Sequence, residues 1–241
     1  MIRASVRAAF SAFSGRFEGD VDHFYPDING DLTIAKGALV DPVARALDLP
    51  MRHRDSGQLA DRGVIAAEWW LVKTQADPQR GDRGARPLCK LFLPPADVEA
   101  LTAQRLAANV AALAKAFPDF GLWPASAQLA VLSMCWAVGT GGLTRDFPKT
   151  CAALRAQDWT TAAAEGVIDA TGNPGVIERN VANRKLLLAA AHVEATGADP
   201  SALLWEPPAA PQIDRGAVLG LVASTLNASV VEGLDEARRG R

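Results

Sequence analysis

Two carboxylates and a hydroxyl are gathered by one short stretch, Phe17 to Gly37, FEGDVDHFYPDINGDLTIAKG. Glu18 closes an amphipathic helix, Asp27 lies just before the Asn29-Gly30 dipeptide and Thr33 just after it. Asn-Gly suits a type I′ turn, because both central residues take positive φ. Tyr25 to Ile28 and Leu32 to Ile34 are therefore expected as the strands that this turn joins.

That side-chain set has the parts needed to hydrolyse a glycosidic bond. The leaving oxygen needs a proton while the anomeric carbon gains positive charge. A positioned carboxylic acid supplies that proton and contributes about 10²–10⁴-fold in rate. Glu18 is the candidate acid, because Phe17 and Phe24 flank it and are expected to desolvate it in favour of the protonated form. As a plain surface residue it would be badly placed, since a helix C-terminus disfavours negative charge. Asp27 would stay ionised, stabilise the developing cation and orient a water that Thr33 holds. Attack by that water implies inversion, with the carboxyls far enough apart to admit it. Taken singly, Asp27 is a turn residue and Thr33 a strand former; their joint placement with Glu18 gives them a chemical reading.

The same positions resemble a family. Glu18, Gly19, Tyr25, Asp27, Gly30, Thr33, Ile34 and Gly37 follow the spacing of the phage-type, T-even-like lysozymes (muramidases) and of related secreted antibacterial effectors. A second block is similar too: Ser133 to Gly139, then Phe147-Pro148, then Asp158-Trp159 ahead of an alanine run. The third is Asn173-Pro174-Gly175, leading to Arg179-Asn180 and Asn183-Arg184. Together the blocks span about residues 10 to 192.

The resemblance implies an α+β, mostly α, lysozyme-like fold of two lobes, with a small β-hairpin lobe, a long connecting helix and a helical C-terminal lobe. It implies hydrolysis between N-acetylmuramic acid and N-acetylglucosamine in peptidoglycan, by an endolysin or a secreted antibacterial effector. Catalysis falls to Glu18, Asp27 and Thr33, and no cofactor or metal is called for. Arg179 would pair with Glu18, against the alternative of a surface arginine with Arg184 nearby. Trp136 would line the groove, and Gly37, Leu39 and Gly139 would shape its backbone. Alanine stands at position 35, where the family usually has glycine, and Lys36 follows it. The segment after Leu39 is longer than in the compact phage enzymes. These departures leave the three catalytic positions untouched and bear on groove shape and substrate preference.

The 241 residues divide into an expected catalytic domain over 1–198 and a linker with a C-terminal helix over 199–241. Within the domain, the hairpin lobe covers about 18–92 with an enlarged insertion at 40–92, and the helical lobe about 93–198. The apolar fraction of 49% and charged fraction of 22% belong to a soluble globular protein. A net charge of −2 excludes a nucleic-acid binder that works by a global positive field. Cys89, Cys135 and Cys151 cannot close a paired framework and read as free thiols, with one bridge open in an oxidising compartment.

Helices are expected over Ala4 to Phe17, from Asp41 through Leu47, over Asp61 to Gln75, from Pro94 to near Phe117 and over Ala125 to Val138. Further helices are expected near Phe147 to Ala156, Trp159 to Glu165 and Arg179 to Ala195. On the Asp61 helix, Val64, Ile65, Trp69 and Val72 are expected to face inward, and of Trp69 and Trp70 one would face the core and the other the groove or a partner. Ala76 to Pro87 reads as an exposed loop.

The N-terminal apolar run is too short for a cleavable signal and leads straight into the first helix. The chain is thus expected to be made in the cytoplasm and to reach peptidoglycan in the periplasm or in a target cell by lysis, a holin or a secretion machine. Ile213 to Ala237 reads as a packing or partner-docking helix, too short and polar for stable membrane insertion. An immunity protein, or a secretion or phage carrier, would be the further partner of an effector. A lytic transglycosylase and a non-catalytic wall-binding or structural module are the rival readings. Asp27 to Asp31 opens like a calcium loop but lacks its glycine and closing glutamate, and HExxH is absent.

Overall fold

The computed structural model describes residues 1–203, apart from 172 and 174. The linker from 204 onward and the helix expected at Ile213 to Ala237 lie outside the described residues, as does Pro174 of the third block. The protein is mostly helical with a small antiparallel sheet, an α+β architecture.

The first helix, α1 (Ala4–Glu18), sets Phe10 and Phe13 into the interior and ends where Gly19 turns the chain at φ +70°. Three strands follow, β1 (Val21–Pro26), β2 (Leu32–Ala35) and β3 (Ala38–Leu39), in the spatial order of the sequence. The expected first strand is displaced towards the N-terminus, so that Asp27 and Ile28 belong to the turn. A short ladder, β4 (Arg52–His53) with β5 (Leu91–Phe92), closes the insertion from residue 52 to its end.

Inside the insertion, α2 (Arg62–Gln75) is capped by Asp61, whose carboxylate accepts from the Val64 N–H at 2.9 Å. Ile65, Trp69 and Val72 are buried as expected, but Val64 is exposed, because it sits in the first turn beside the cap. Trp69 donates its indole N–H to the Val40 carbonyl at 2.9 Å, whereas Trp70 is 55% exposed. The Asp41 to Leu47 segment forms only a 3₁₀ turn at Val43–Arg45. The stretch from 76 to 87, expected as an open loop, instead contains α3 (Gly81–Ala85), with Ala85 fully buried against the sheet side. Its proline, glycine and charge content suits the short turns that flank α3.

α4 (Pro95–Ala116) connects two hydrophobic cores. Val98 packs with the sheet and α2, while Leu106 and Leu113 pack with α1 and the C-terminal helices. α5 (Ala125–Asp146) is the interior helix, and Gly139 at φ +72°, ψ 158° breaks it, so the first straight run ends at Val138 as expected. Among the described residues α5 alone has the length and hydropathy of a membrane span, and 67% of that window is buried inside the protein. α6 (Pro148–Arg155), α7 (Trp159–Glu165) and α8 (Gly175–Thr196) complete this layer, α8 lying mainly against α5. α8 begins four residues before the expected Arg179, so that Arg179 sits inside its second turn. The three cysteines are free and buried.

Candidate active site

The β1–β2 connection differs from the expected type I′ turn. Gly30 N–H donates to the Asp27 carbonyl and Asp27 N–H to the Asp31 carbonyl, both at 2.9 Å. Gly30 takes φ +83°, while Asn29 is not at positive φ. This is a type I turn closed by a glycine bulge, a three-residue hairpin loop. The cause is Asp27 itself: its Oδ1 accepts from Asn29 N–H at 2.8 Å and from Asp31 N–H at 2.9 Å. An aspartate that folds over its own turn favours this geometry over the primed one. The side chain is thereby fixed in direction through one oxygen, and its other oxygen makes no hydrogen bond within the described residues.

Thr33 stands directly opposite Tyr25 across the ladder. It is buried, and its hydroxyl donates to the Tyr25 carbonyl at 3.2 Å. The proton of Thr33 is thus committed to the backbone, which leaves its oxygen as an acceptor for a donor in the cleft.

Glu18, Asp27 and Thr33 all line one cleft of about 560 Å³, together with Gly37, Leu39, Trp136 and Arg179. Two larger hollows, of about 660 and 890 Å³, hold none of the three carboxylate or hydroxyl groups. Convergent polar groups, rather than volume, therefore mark the site. Gly139 does not line the cleft; it ends the helical run whose last residues, Ala137 and Val138, do.

The surroundings of Glu18 differ from the apolar cage expected for it. Phe24 belongs to the core beneath the sheet, and Phe17 is shared with a cation, the Arg179 guanidinium lying 5.0 Å from its ring centre. Arg179 is only 3% exposed, and its Nη2 donates to Glu18 Oε1. Its Nη1 donates to the Ser133 carbonyl at 3.1 Å, which ties the pair to α5. Arg184, the alternative, is exposed. The helical period decides between them, because position 179 points into the α5 contact with Asn183 one turn on, while 184 does not.

Oε2 of Glu18 faces Gly37. A side chain there would put its Cβ 3.1 Å from that oxygen, and Gly37 holds φ +70°. The glycine thus keeps the approach to the second oxygen open.

Trp136 is 3% exposed and gives no open platform for a sugar ring. Phe10 packs against it at 5.0 Å between ring centres, Arg105 covers it at 4.1 Å, and its N–H donates to the Lys36 carbonyl at 2.8 Å. It forms the floor of the cleft. Leu39, 46% exposed, supplies apolar rim.

Two features of the site escape a reading by motif. Arg105 of α4 reaches into the cleft from a position four residues after Leu101 and seven after Val98; a charge on that otherwise apolar stripe is the available signal. The loop between α7 and α8 adds Ile168, Asp169 and Asn173 as the facing wall. Asn180 holds that loop, donating to the Ile168 carbonyl at 2.7 Å and accepting from its N–H at 3.0 Å.

Lys36 accounts for one departure in the motif. Its side chain is 2% exposed and runs away from the cleft, to Asp20 and to Glu99, the latter at 2.7 Å. Burial alone would lower its pKa, but the hydrogen bonds it donates to Asp20 and Glu99 outweigh it and hold the ammonium above its ordinary value. Only its carbonyl takes part in the cleft floor. Ala35, at φ +57°, keeps the backbone that glycine would adopt with less strain.

No protein-family model matches this chain, and no curated protein matches it.

Proposed function

We propose that the protein is a muramidase of lysozyme-like, two-lobed architecture, hydrolysing the N-acetylmuramic acid to N-acetylglucosamine bond of bacterial peptidoglycan. The observation that carries this reading is the convergence of Glu18, Asp27 and Thr33 on one cleft, with Glu18 held by a buried arginine.

Glu18 donates its proton from Oε2 to the leaving oxygen, in the space that Gly37 leaves free. Arg179, already on Oε1, stabilises the carboxylate that remains, so the cation acts on charge that develops during the step. Asp27 has one oxygen fixed by two N–H donors and presents the other to the developing cation and to the attacking water. Thr33 accepts from that water and sets its direction. Attack from the face opposite the leaving group inverts the anomeric centre. The protein would act as an endolysin or as a secreted antibacterial effector on peptidoglycan in the periplasm or in a target cell; an immunity partner is expected for the effector.

Purified peptidoglycan incubated with wild type and with Glu18→Gln, followed by mass spectrometry of released muropeptides, tests the reading. Ordinary reducing ends from wild type alone support it. Anhydro ends would make the protein a lytic transglycosylase. Binding without release by either protein would make it a wall-binding module.

A further inference from the structure

We infer that Arg105 is a positioning residue for the proton donor: it holds the Gly37 peptide beside the free oxygen of Glu18 and locks the hairpin lobe to α5. This rests on the muramidase reading above.

Arg105 is the second guanidinium of the cleft, half-buried, and its hydrogen-bond partners are all backbone carbonyls. Nη1 donates to the Gly37 carbonyl at 2.5 Å and to the Lys36 carbonyl at 3.2 Å, and Nη2 to the Trp136 carbonyl at 2.8 Å. Its centre lies 4.1 Å from that of the Trp136 ring. Among the described residues it forms no ion pair, so its charge is balanced by carbonyl dipoles, by the face of the Trp136 ring and by Glu18 nearby. Burial lowers its pKa from the usual arginine value.

The placement has two consequences. First, one planar fork joins the 36–37 turn of the hairpin lobe to the last turns of the straight run of α5. Arginine can do this because its donors form a fixed fan, whereas an ammonium is a point charge. Second, the Gly37 Cβ position lies 3.1 Å from Glu18 Oε2 and 3.5 Å from Arg105 Nη1, so the guanidinium and the second carboxyl oxygen meet at the same glycine. Glu18 therefore has two cations close by, Arg179 in contact and Arg105 on the Gly37 carbonyl. Misplacing a donor by about 1 Å can cost about 10²-fold in rate, which gives the fork a kinetic role separate from its packing.

Geometry and charge separate in two variants. The groups that face Glu18 are Arg179 from α8, Arg105 from α4, the Tyr25 phenol from β1 and Asp27 across the cleft. Arg105→Lys keeps a cation and loses the fork; Arg105→Gln loses both. Muropeptide release is measured as kcat and KM, well below each protein's melting temperature. The expected result is a fall in kcat of roughly 10²-fold in both variants, with KM within about threefold of wild type.

Wild-type kcat in Arg105→Lys, which keeps the charge but not the fork, would overturn the inference, as would a loss confined to KM in either variant. Failure of both variants to fold would assign Arg105 to the fold and overturn it equally. A wild type that releases nothing would sink the muramidase reading itself, a failure distinct from these.

Discussion

Arg179 and Glu18 stand 161 positions apart, yet the guanidinium donates to the carboxylate with one arm and to the Ser133 carbonyl with the other. The arginine side chain is 4% exposed and the glutamate side chain 21%. A buried cation of this kind depends on its partner, because losing one member leaves the other uncompensated.

Glu18→Gln is therefore expected to lower stability as well as to abolish release of muropeptides. The loss should be about 1–3 kcal/mol by urea unfolding, below the full buried-pair figure because Glu18 reaches solvent. Glu18→Gln/Arg179→Met should recover part of it, giving a coupling energy of at least about 0.5 kcal/mol in the double-mutant cycle. Strictly additive effects would mean that the pair is not coupled.

Gly37→Ala should act on both stability and rate. The new Cβ meets Glu18 Oε2 at 3.1 Å, and alanine at φ +70° costs roughly 1–2 kcal/mol. Melting should fall accordingly, and muropeptide release should drop by at least about tenfold. Gly30→Ala is strained in φ too, but nothing lies within 4 Å of its Cβ position, so it should lose stability with less effect on rate. Equal kinetic losses in the two variants would refute the role of space at Gly37.

Ala35 offers a test of backbone strain. It is buried at 1% exposure and sits at φ +57°. Ala35→Gly loses a methyl, worth about 0.8 kcal/mol, and adds unfolded-chain entropy of roughly 0.5–1 kcal/mol. It also relieves about 1–2 kcal/mol of left-handed strain, so the net change in urea unfolding should be close to zero. Ala130→Gly, equally buried but helical, has no strain to relieve and should cost about 2 kcal/mol.

Lys36 should tolerate replacement by a chain of similar bulk. Its carboxylate partners, Asp20 and Glu99, are 64% and 53% exposed and can return to water. Lys36→Met should thus cost no more than about 1 kcal/mol and leave muropeptide release intact, because the lysine side chain points away from the cleft. Lys36→Ala should cost about 2 kcal/mol or more through the space it opens beside α1. Greater loss in the methionine variant than in the alanine variant would show that charge, not packing, matters there.

Asp22 should make stability sensitive to acid. Burial raises its pKa, but hydrogen bonds from Arg54, at 2.8 and 2.9 Å, and the contact with His23 outweigh that and bring it from 3.8 to about 2. A depressed folded-state pKa stabilises above the ordinary value, and that stability is lost as pH falls from 3.8 towards 2. With the Asp22 side chain 40% exposed, solvent screening leaves about 1 kcal/mol. The stability gap between wild type and Arg54→Met should shrink by that amount between about pH 5 and pH 2. A gap independent of pH would refute the ion pair.

Legible in the sequence were a hairpin around Asn29-Gly30, though with its first strand expected at Tyr25 to Ile28 and found at Val21–Pro26, the extents of α1, α2, α4 and α7 within a residue or two, and the gathering of Glu18, Asp27 and Thr33. These follow from turn chemistry, helical period and caps, which act over a few residues and so are legible as spacing. The tertiary structure decided the rest. It selected Arg179 over Arg184, closed Trp136 off as a floor, turned Lys36 away from the cleft, exposed Trp70 while burying Trp69, and brought Arg105 between the 36–37 turn and α5. It also let Asp27 fold over its own turn, in place of the geometry that Asn-Gly favours alone. Contacts between residues 69, 100 or 161 positions apart carry no local period. They depend on how two hydrophobic cores pack across α4, and packing is settled by the whole set of buried side chains at once.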